Sequence, residues 1–438
     1  MLIEQFASGD SYSTPDSLYS LPRHRWYVIK EAFSPELFNL AISTSSTAKG
    51  DLVIDPFCGS GTLPLTSSFL GYRSIGVEVN PFLAFVARTK LSVCNPQSLE
   101  RAALSILPSI RCGTPSPLEG LSTFCRRRES DKWLFNRSVL RSFEGGWQAS
   151  ESVSGPAKNI VRLMLVRAAM ENCNAVADGK CLRYRKEWKD NPYGRQDFLD
   201  SFDSWVVKAR DDLKDLPIHG SASIINGDAR KVLSSLKPKC VSLCVTSPPY
   251  LNSFDYSDVY RPETFLIKAV HSNKDLRKVR LASVRSHVQV KWPKPKLNRF
   301  GSLYNQTRKQ LATKEGGFWD PRIPQMVQAY FEDMHGVLKD LLAVSSKKSR
   351  VWLIVSTSAY AGVEIPVDMI LAQIGERVGW FLQEIATLRD LRASGQHAIR
   401  VPGEDVQPFH LRESAVILSA EPLRKGSTKP RDARSSNQ

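Results

Sequence analysis

The sequence contains no long apolar stretch: none of its uninterrupted apolar runs has the length needed to cross a membrane. Its first residues, MLIEQFASGDSYSTPDS, carry neither a basic region nor an apolar core, so no signal peptide is expected. The eight cysteines lack the paired spacing of a zinc site and the histidines show no ligand spacing, so no metal is predicted. These absences favour a cytoplasmic protein with reduced thiols and no membrane attachment.

Acidic residues are outnumbered in this chain. It has 60 lysines and arginines against 44 aspartates and glutamates, which leaves a formal net charge of +16. Such an excess favours a polyanionic partner, because each phosphate that is neutralised releases counterions. A merely basic soluble protein explains the charge equally well, so the charge only supports other evidence. The length of 438 residues allows one large domain or two to three ordinary ones.

Apolar runs that alternate with helical patterns predict an α/β protein with a doubly wound, mostly parallel sheet. DLVIDPF and YRSIGVEVN are typical of buried strands, while residues 62–70 and the segment PFLAFVARTKL are predicted as helices. A further helix is predicted over residues 31–42, with Ser34 as its cap and Pro35 in its first turn. The pattern stops near residue 95 and resumes with SIINGDARKVL and VSLCVTSPPY.

A glycine-rich turn, Asp55-Pro-Phe-Cys-Gly-Ser-Gly-Thr62, follows the first of these strands and opens a helix. Two phosphate-binding patterns fail here: no Gly-Lys-Ser/Thr ends the turn, and proline occupies position 64, where G-x-G-x-x-G needs glycine. Glu78 ends the next strand, where a carboxylate can accept both hydroxyls of a ribose. An adenosine ligand without phosphates therefore fits best, although a G-x-G turn alone is also compatible with a purely structural role.

A second turn, Thr246-Ser-Pro-Pro-Tyr250, follows the apolar run VSLCV. Two consecutive prolines cannot continue a strand, so the chain must leave the sheet there in a rigid turn. The Ser247 hydroxyl and the Pro248 carbonyl can accept the two hydrogens of a base amino group, and Tyr250 can stack on the base. Two acceptors would localise the amine lone pair for direct methyl transfer, with positioning as the main source of catalysis. A proline turn beside a core tyrosine is the alternative.

Together and in this order, the two turns resemble the S-adenosylmethionine-dependent amino-methyltransferases of DNA. DPFCGSGT resembles the cofactor loop of that family, GVEVNP its ribose-binding segment, INGDAR the acidic turn beside the adenine, and TSPPY its catalytic motif. HRWYVIKEAFSPELFNLAI resembles, more loosely, an additional cofactor segment. The resemblance implies a Rossmann-like class I methyltransferase fold, S-adenosylmethionine as cofactor, the cofactor-binding residues Lys30, Phe33, Asp55, Phe57, Gly59, Gly61, Thr62, Glu78, Asn80 and Asp228, and the catalytic residues Ser247, Pro248, Pro249 and Tyr250.

The base that is methylated is the next question. The serine in TSPPY is typical of enzymes that resemble the cytosine-N4 methyltransferases, whereas adenine-N6 enzymes usually have Asp or Asn at that position. A cytosine-C5 enzyme needs a Pro-Cys nucleophile, and Cys240 and Cys244 precede the turn instead. Cytosine N4 in DNA is the favoured target; an adenine-N6 enzyme, an RNA base amino-methyltransferase and a catalytically dead nucleic-acid-binding relative are the alternatives. The resemblance also implies a restriction-modification role with a cognate nuclease as partner, and leaves the oligomeric state open.

A base inside a duplex cannot reach such a turn, so it must be flipped out or single-stranded. A basic segment close behind the catalytic turn is the predicted phosphate-contacting region, with the residues Arg277, Lys278, Arg280, Arg285, Lys291 and Trp292. The segment 95–220, with Arg126 to Arg128 and Trp133, is either a target-recognition region or a structural cover for the sheet.

The resemblance and the composition together give a predicted domain organisation. The parts are a flexible N-terminus 1–19, a cofactor-binding part 20–94, a largely helical insertion 95–220, a catalytic part 221–270, a basic loop insertion 271–320, the remainder of the methyltransferase domain 321–420, and a disordered basic tail 421–438.

Overall fold

The computed structural model describes residues 3–5, 12–121, 123–126, 132–178, 181–190, 192–314, 317–391 and 411–422. Arg127, Arg128 and residues 423–438 of the predicted tail lie outside these ranges. Among the described residues, no helix combines the length and apolar character that a membrane span requires.

The strands in the described ranges are β1 Ile3–Gln5, β2 Leu52–Asp55, β3 Arg73–Glu78, β4 Ala175–Asp178, β5 Cys181–Tyr184, β6 Ala222–Asn226, β7 Val241–Thr246, β8 Ser345–Ser356, β9 Ser358–Tyr360, β10 Val363–Ile365, β11 Phe381–Leu391 and β12 Leu411–Ser419. The helices there are α1 Pro35–Thr44, α2 Thr62–Phe69, α3 Pro81–Lys90, α4 Pro96–Cys112, α5 Arg137–Ala149, α6 Pro156–Glu171, α7 Arg195–Asp215, α8 Ala229–Val232, α9 Tyr256–Val259, α10 Arg261–Leu266, α11 Asn273–Ala282, α12 Ser302–Ala312, α13 Ile323–Val344 and α14 Val367–Val378.

The described residues form a central sheet of eight strands in the order β1-β11-β12-β8-β7-β2-β3-β6. All neighbouring pairs are parallel except those of β12, which runs antiparallel to both β8 and β11. The strand order reverses between β2 and β7, and ligands of such sheets bind outside the carboxyl ends of the strands at that point. The predicted Rossmann-like, doubly wound and mostly parallel sheet is confirmed.

Helices cover both faces of the sheet, so its central strands are apolar on both sides. Ile54, Cys244 and Leu353 pack in one cluster with α13 and α14, while their chain neighbours Val53, Leu243 and Trp352 pack on the opposite face with α1. This alternation follows from the two-residue repeat of a strand. It explains why DLVIDPF and VSLCV are near-continuous apolar runs.

The segment 95–220 contains four helices, α4 to α7, and the hairpin of β4 and β5 within its described residues. Its apolar core is continuous with Phe82, Leu83 and Val86 on α3. A buried carboxylate also ties it to the N-terminal segment: Asp212 on α7 accepts hydrogen bonds from the backbone N–H of Arg23, at 2.7 Å, and from Trp26 Nε1, at 2.8 Å. The insertion is thus anchored next to the cofactor-binding half of the sheet.

Three segments differ from the sequence-based prediction. The predicted helix 31–42 begins only at Pro35, and Ser34 occupies the cap position without a side-chain hydrogen bond to the helix. Ile3–Gln5 pairs with β11 at the sheet edge, although residues 1–19 were predicted to be flexible. The segment 271–320, predicted as a loop, contains α11 and α12. Helix α11 buries only Leu276, and its sequence is mostly polar and charged, so few apolar residues reveal it.

Candidate active site

A cavity of about 320 Å³ lies at the carboxyl ends of the central strands. Both Gly59 of the glycine turn and Ser247 of the proline turn line it. The two turns are joined at their roots, because Thr246 at the end of β7 donates a hydrogen bond of 2.6 Å to the Asp55 carboxylate at the end of β2. Two segments almost 190 residues apart therefore face one another across a single cavity.

The glycine turn is fixed by one carboxylate. Glu78 accepts hydrogen bonds from the backbone N–H of Gly59, at 2.9 Å, and from that of Asn80, at 2.7 Å. Gly59 has a φ of +50°, and a Cβ there would lie 2.7 Å from the Cδ1 of Ile29, which also lines the cavity. The position therefore favours glycine for both its backbone conformation and its closeness to the cavity wall.

Two buried carboxyl groups in this region have perturbed acidities. Burial raises the pKa of Asp55 to about 7, against the opposing hydrogen bond from Thr246. Burial likewise raises the pKa of Glu78 to about 7, although the N–H donors of Asn80 and Gly59 favour its ionised form. Near neutral pH, both groups are thus close to the point at which they gain or lose a proton.

The end of strand β6 also faces the cavity. Asp228 caps α8, and the guanidinium of Arg230 holds its carboxylate with contacts of 2.8 and 2.9 Å. Arg230 in turn lies 2.9 Å from the buried Asp333 of α13. Asn226 donates a hydrogen bond of 2.7 Å to the carbonyl of Glu78, so the ends of β3 and β6 are locked together.

The proline turn is held by residues from the far end of the chain. The Tyr250 hydroxyl donates a hydrogen bond to Glu413 on β12, and Arg389 on β11 contacts the other oxygen of that carboxylate at 2.5 Å. Both partners line the cavity, and Glu413 is 1% exposed. Burial and the Glu413 carboxylate raise the pKa of Tyr250 well above its usual value, so the phenol stays protonated and its ring is fixed through the hydroxyl.

Polar side chains from the segment after the proline turn form another part of the cavity wall. Asp255 accepts hydrogen bonds from the Ser257 hydroxyl, at 2.6 Å, and lies 2.6 Å from the guanidinium of Arg280. His287 also lines this wall, and burial lowers its pKa so that the imidazole is neutral near pH 7. Within the described residues the Nδ1 of His287 has no hydrogen-bond partner. Asp255 is paired with Arg280 and His287 is neutral, so none of these three residues adds an unpaired charge to the cavity wall.

The structure brings most of the predicted site residues to this cavity. Those that line it are Lys30, Phe57, Gly59, Glu78, Asn80, Asp228, Ser247, Pro248, Pro249 and Tyr250. Four predicted cofactor residues lie behind its wall instead. Phe33 packs in the core between α1 and the sheet, Asp55 and Thr62 are buried, and a Cβ on Gly61 would lie 2.8 Å from the Cβ of Ala87 on α3. Gly61 therefore serves helix packing, since only glycine lets the two helices approach so closely.

The predicted nucleic-acid set needs a correction. Arg285 is 8% exposed and its guanidinium contacts Glu332 and Asp333 at 2.6 and 2.7 Å, so it is not available to a phosphate. Arg280 is paired with Asp255 and Asp258. Trp292 donates a hydrogen bond of 2.6 Å to the carbonyl of His287 and packs on its ring. The remaining three residues, Arg277, Lys278 and Lys291, are exposed.

Several cavity residues were not predicted from the sequence. Glu31 lines the cavity and accepts a hydrogen bond of 2.7 Å from Tyr260, and Arg389, Glu413, Asp255 and His287 complete the walls. Glu413 had one available signal, since a glutamate that directly precedes a buried-strand run, in LRESAVIL, must find a partner when it is itself buried. Nothing in the local sequence distinguishes the others from ordinary surface or core residues.

The comparisons with known proteins agree with this geometry. Residues 18–87 match the model of a family described as DNA methylase, of the N6 and N4 type. The chain is 25% identical over 423 residues to the Type II methyltransferase M.BsoBI of Geobacillus stearothermophilus, a match that covers 85% of this chain and 81% of that protein. It is 23% identical over 396 residues to the Type II methyltransferase M.AvaI of a Nostoc species, with 84% and 81% covered.

These matches and the cavity define a methyltransferase of the α/β, doubly wound class. Residues 18–87 resemble the DNA amino-methyltransferase family, and along most of its length the chain is similar to Type II methyltransferases. The solved structure of the rRNA methyltransferase AviRa from Streptomyces viridochromogenes aligns with 94% of this chain and 88% of its own, at 12% identity and a TM-score of 0.30. That likeness is too weak to bear on the substrate.

The methyl donor of this family is S-adenosylmethionine, and the cavity residues fit it. The lining combines the carboxylates of Glu78 and Asp228 with the apolar side chains of Val79 and Leu83, and Gly59 adds no side chain to it. Such a mixture of polar and apolar groups suits a ligand that contains a nucleoside. Among the described residues, no group of three or more His, Cys, Asp or Glu side chains is arranged to hold a metal ion.

Proposed function

We propose that this chain transfers a methyl group from S-adenosylmethionine to the exocyclic N4 amino group of cytosine in DNA. The observation that carries the proposal is the shared cavity, in which the glycine turn after β2 and the proline turn after β7 face one another. Adjacent strands and the Asp55–Thr246 hydrogen bond fix the spacing of the two turns. Such fixed spacing is what a direct transfer between two bound groups requires.

At the cofactor end, the residues bind and orient. The bound cofactor would supply an electrophilic methyl group on its sulfonium sulfur. Glu78 would accept hydrogen bonds from the ribose hydroxyls, since its carboxylate ends β3 inside the cavity. Asp228, held in place by Arg230, would face the adenine, and Phe57 and Lys30 would line the remaining part of the site.

At the target end, the turn holds the amine. The Ser247 hydroxyl and the Pro248 carbonyl would accept its two hydrogens, and the ring of Tyr250 would stack on the flipped base. Glu413 keeps the tyrosine hydroxyl in place, so the stacking surface is preorganised. The nitrogen gains a methyl group and releases one proton to solvent. The turn therefore has to orient the amine rather than ionise it.

Cytosine is proposed over adenine because TSPPY has Ser247 at the position where adenine-N6 enzymes usually have Asp or Asn. The matched family includes both types, so adenine N6 is the competing target. A cognate restriction nuclease and a cytoplasmic location are further proposals; both follow from the likeness to Type II methyltransferases.

The test is mass spectrometry of nucleosides from a methylation-deficient bacterium that expresses this chain. We expect N4-methylcytosine in its DNA, and none in cells that express the Tyr250→Ala variant at the same level. N6-methyladenine in place of N4-methylcytosine would overturn the choice of base. Incubation of the purified chain with labelled cofactor and either duplex DNA or total RNA tests the polymer, and label confined to RNA would overturn the choice of DNA.

A further inference from the structure

A second concave site lies on the insertion, outside the cavity described above. It encloses about 600 Å³, and the described residues that line it include Arg126, Arg137 and Lys189 but no acidic residue. Trp133 and Asn136 form its floor. We call this site the basic groove.

Trp133 in the lining of the basic groove is held by hydrogen bonds and by neighbouring aromatic rings. Trp133 donates a hydrogen bond of 2.8 Å to the Oδ1 of Asn136, whose Nδ2 donates to the carbonyl of Tyr193 at 2.9 Å. The ring of Trp188 packs edge-on against Trp133, with centroids 4.5 Å apart, and Tyr184 packs on Trp188 at 5.1 Å. Half-buried aromatic residues that are fixed in this way offer a stable apolar surface to a ligand.

The cations of the basic groove are open to solvent. Arg126 lies over the ring of Trp133 at 5.2 Å and Lys189 over that of Trp188 at 5.5 Å, and both are exposed. Neither forms an ion pair with any residue in the described ranges, whereas Arg137 contacts Glu119 at 3.2 Å. They differ in this respect from Arg280 and Arg285, whose charges are neutralised inside the protein. These charges, unpaired among the described residues, favour an anionic occupant.

The hairpin of the insertion borders the cavity described above. Lys30, which lines the cavity, lies 4.0 Å from Asp178 on β4 of the hairpin. Helix α9, which supplies Tyr256 and Ser257 to the cavity wall, packs on β5, the strand that carries Tyr184. Tyr184 in turn packs on Trp188, and Trp188 packs on Trp133 of the basic groove, so a chain of ring contacts leads from the hairpin to the groove.

We infer that the basic groove binds the sugar–phosphate backbone of DNA beside the base that enters the cavity. The inference rests on the proposed function, because it takes DNA as the substrate. Guanidinium and ammonium groups would contact the phosphates, and the exposed edge of the tryptophan pair would contact the adjacent sugar or base. Under this assignment the insertion is a substrate-binding part of the enzyme and not only a cover for the sheet.

The experiment measures DNA affinity as a function of salt concentration for the full chain and a charge-reversal variant, Arg126→Glu with Lys189→Glu. The probe is fragmented genomic DNA from a methylation-deficient bacterium, and binding is followed by fluorescence anisotropy. We expect the Kd for DNA to rise tenfold or more near 0.1 M salt. The slope of log Kd against log salt should fall by roughly two, since each phosphate contact contributes about 0.9.

If charge reversal lowers the Tm, the milder pair Arg126→Gln with Lys189→Gln carries the test. It removes the same two phosphate contacts, so the slope of log Kd against log salt should fall by the same amount. The matched control is Lys347→Glu with Lys348→Glu. These two exposed lysines lie near the amino end of β8, whereas the cavity lies at the carboxyl ends of the strands. Cofactor affinity by calorimetry should stay within twofold in every variant.

The outcomes separate the two proposals. If the wild-type chain methylates DNA but the variants keep its affinity and salt slope, the basic groove is not a DNA site and the proposed function stands. If the wild-type chain methylates only RNA, the proposed function is wrong and the assignment of DNA to the groove fails with it. A reduced slope in the groove variants but not in the control supports the assignment.

Discussion

The two turns that meet in the cavity are held in place in different ways. The glycine turn is fixed by Glu78, which is only 19 residues away in the chain. The proline turn depends on Glu413, 163 residues away, and on Ser358, which donates to the carbonyl of Leu251 across 107 residues. The nearest support of the glycine turn is thus local, although Thr246 also reaches Asp55 from the strand before the proline turn, whereas the target end is held by residues from the last third of the protein.

This difference has a consequence for mutations. A change in the glycine turn should alter cofactor binding first, since its supports are local and lie on that side of the cavity. A change in the proline turn or in its distant supports should alter turnover and leave cofactor affinity intact. Four measurements test whether the two ends are separable in this way.

The largest effect is expected for Ser247→Ala. The variant loses one of the two acceptors for the target amine, and removal of a single positioned hydrogen-bonding group typically lowers kcat on the order of 100-fold. Cofactor affinity, measured by calorimetry, should change less than twofold. The exposed Ser234, outside the cavity, gives the matched control Ser234→Ala. A large rise in the cofactor Kd of Ser247→Ala would show that the two ends are not separable.

Next in size is Gly59→Ala, which should raise the cofactor Kd about tenfold. A residue with a Cβ is strained at a φ of +50°, by about 1–3 kcal/mol, and the new carbon would displace Ile29 at the cavity wall. Gly71→Ala is the control, because its φ is +80° but nothing lies within 4 Å of the added carbon. Both variants should lose stability, and only Gly59→Ala should bind the cofactor less tightly. Equal cofactor affinities would contradict the role of Gly59.

A smaller loss is expected for Glu413→Gln, with kcat about tenfold lower and cofactor affinity unchanged. The amide leaves Arg389 without its carboxylate and holds the Tyr250 hydroxyl less firmly, so the stacking ring is less well positioned. Adding Glu413→Gln to a Tyr250→Phe variant should then have little further effect, because the hydroxyl that Glu413 orients is gone. Full additivity of the two changes would rule out this coupling, and Glu364→Gln on β10 serves as the control.

The smallest effect concerns pH. Glu78 has a pKa of about 7, so it is neutral below that pH and ionised above it, and only the ionised form accepts both ribose hydroxyls at full strength. Cofactor affinity should therefore increase a few-fold as pH rises through about 7. Glu78→Gln should flatten the profile, and Asp55→Asn should keep it. A pH dependence that survives in Glu78→Gln would assign it to another group.

Stability of the free protein should change in the opposite direction over the same window. The carboxyl groups of Asp55 and Glu78 bind protons more tightly in the folded chain than in the unfolded chain, since burial raises both pKa values to about 7. Their contribution to the free energy of unfolding is present at low pH and is lost as pH rises through about 7. Thermal unfolding across this range, with and without cofactor, checks both directions.

Much of the site was predictable because its signals are local. The turns around Gly59 and Ser247, and the acidic ends Glu78 and Asp228, each follow an apolar strand, and the ends of neighbouring parallel strands meet at one sheet edge. The basic segment was less well predicted. Its arginines and lysines look alike in the sequence, but Arg285 is buried against Asp333 and Glu332, 47 to 48 residues further on, and only the fold reveals such partners.

The sequence by itself determined the strands and helices next to the two turns, the turns themselves and the chemistry that they can support, because these depend on short runs of residues. Only the tertiary structure decided which side chains share the cavity and which cations remain free. Glu413 and Arg389 reach the target end of the cavity through contacts between distant parts of the chain. Arg126 and Lys189, in contrast, stay exposed on the insertion. Burial and pairing are properties of the packed molecule, so a charged residue has no fixed role until its neighbours are in place.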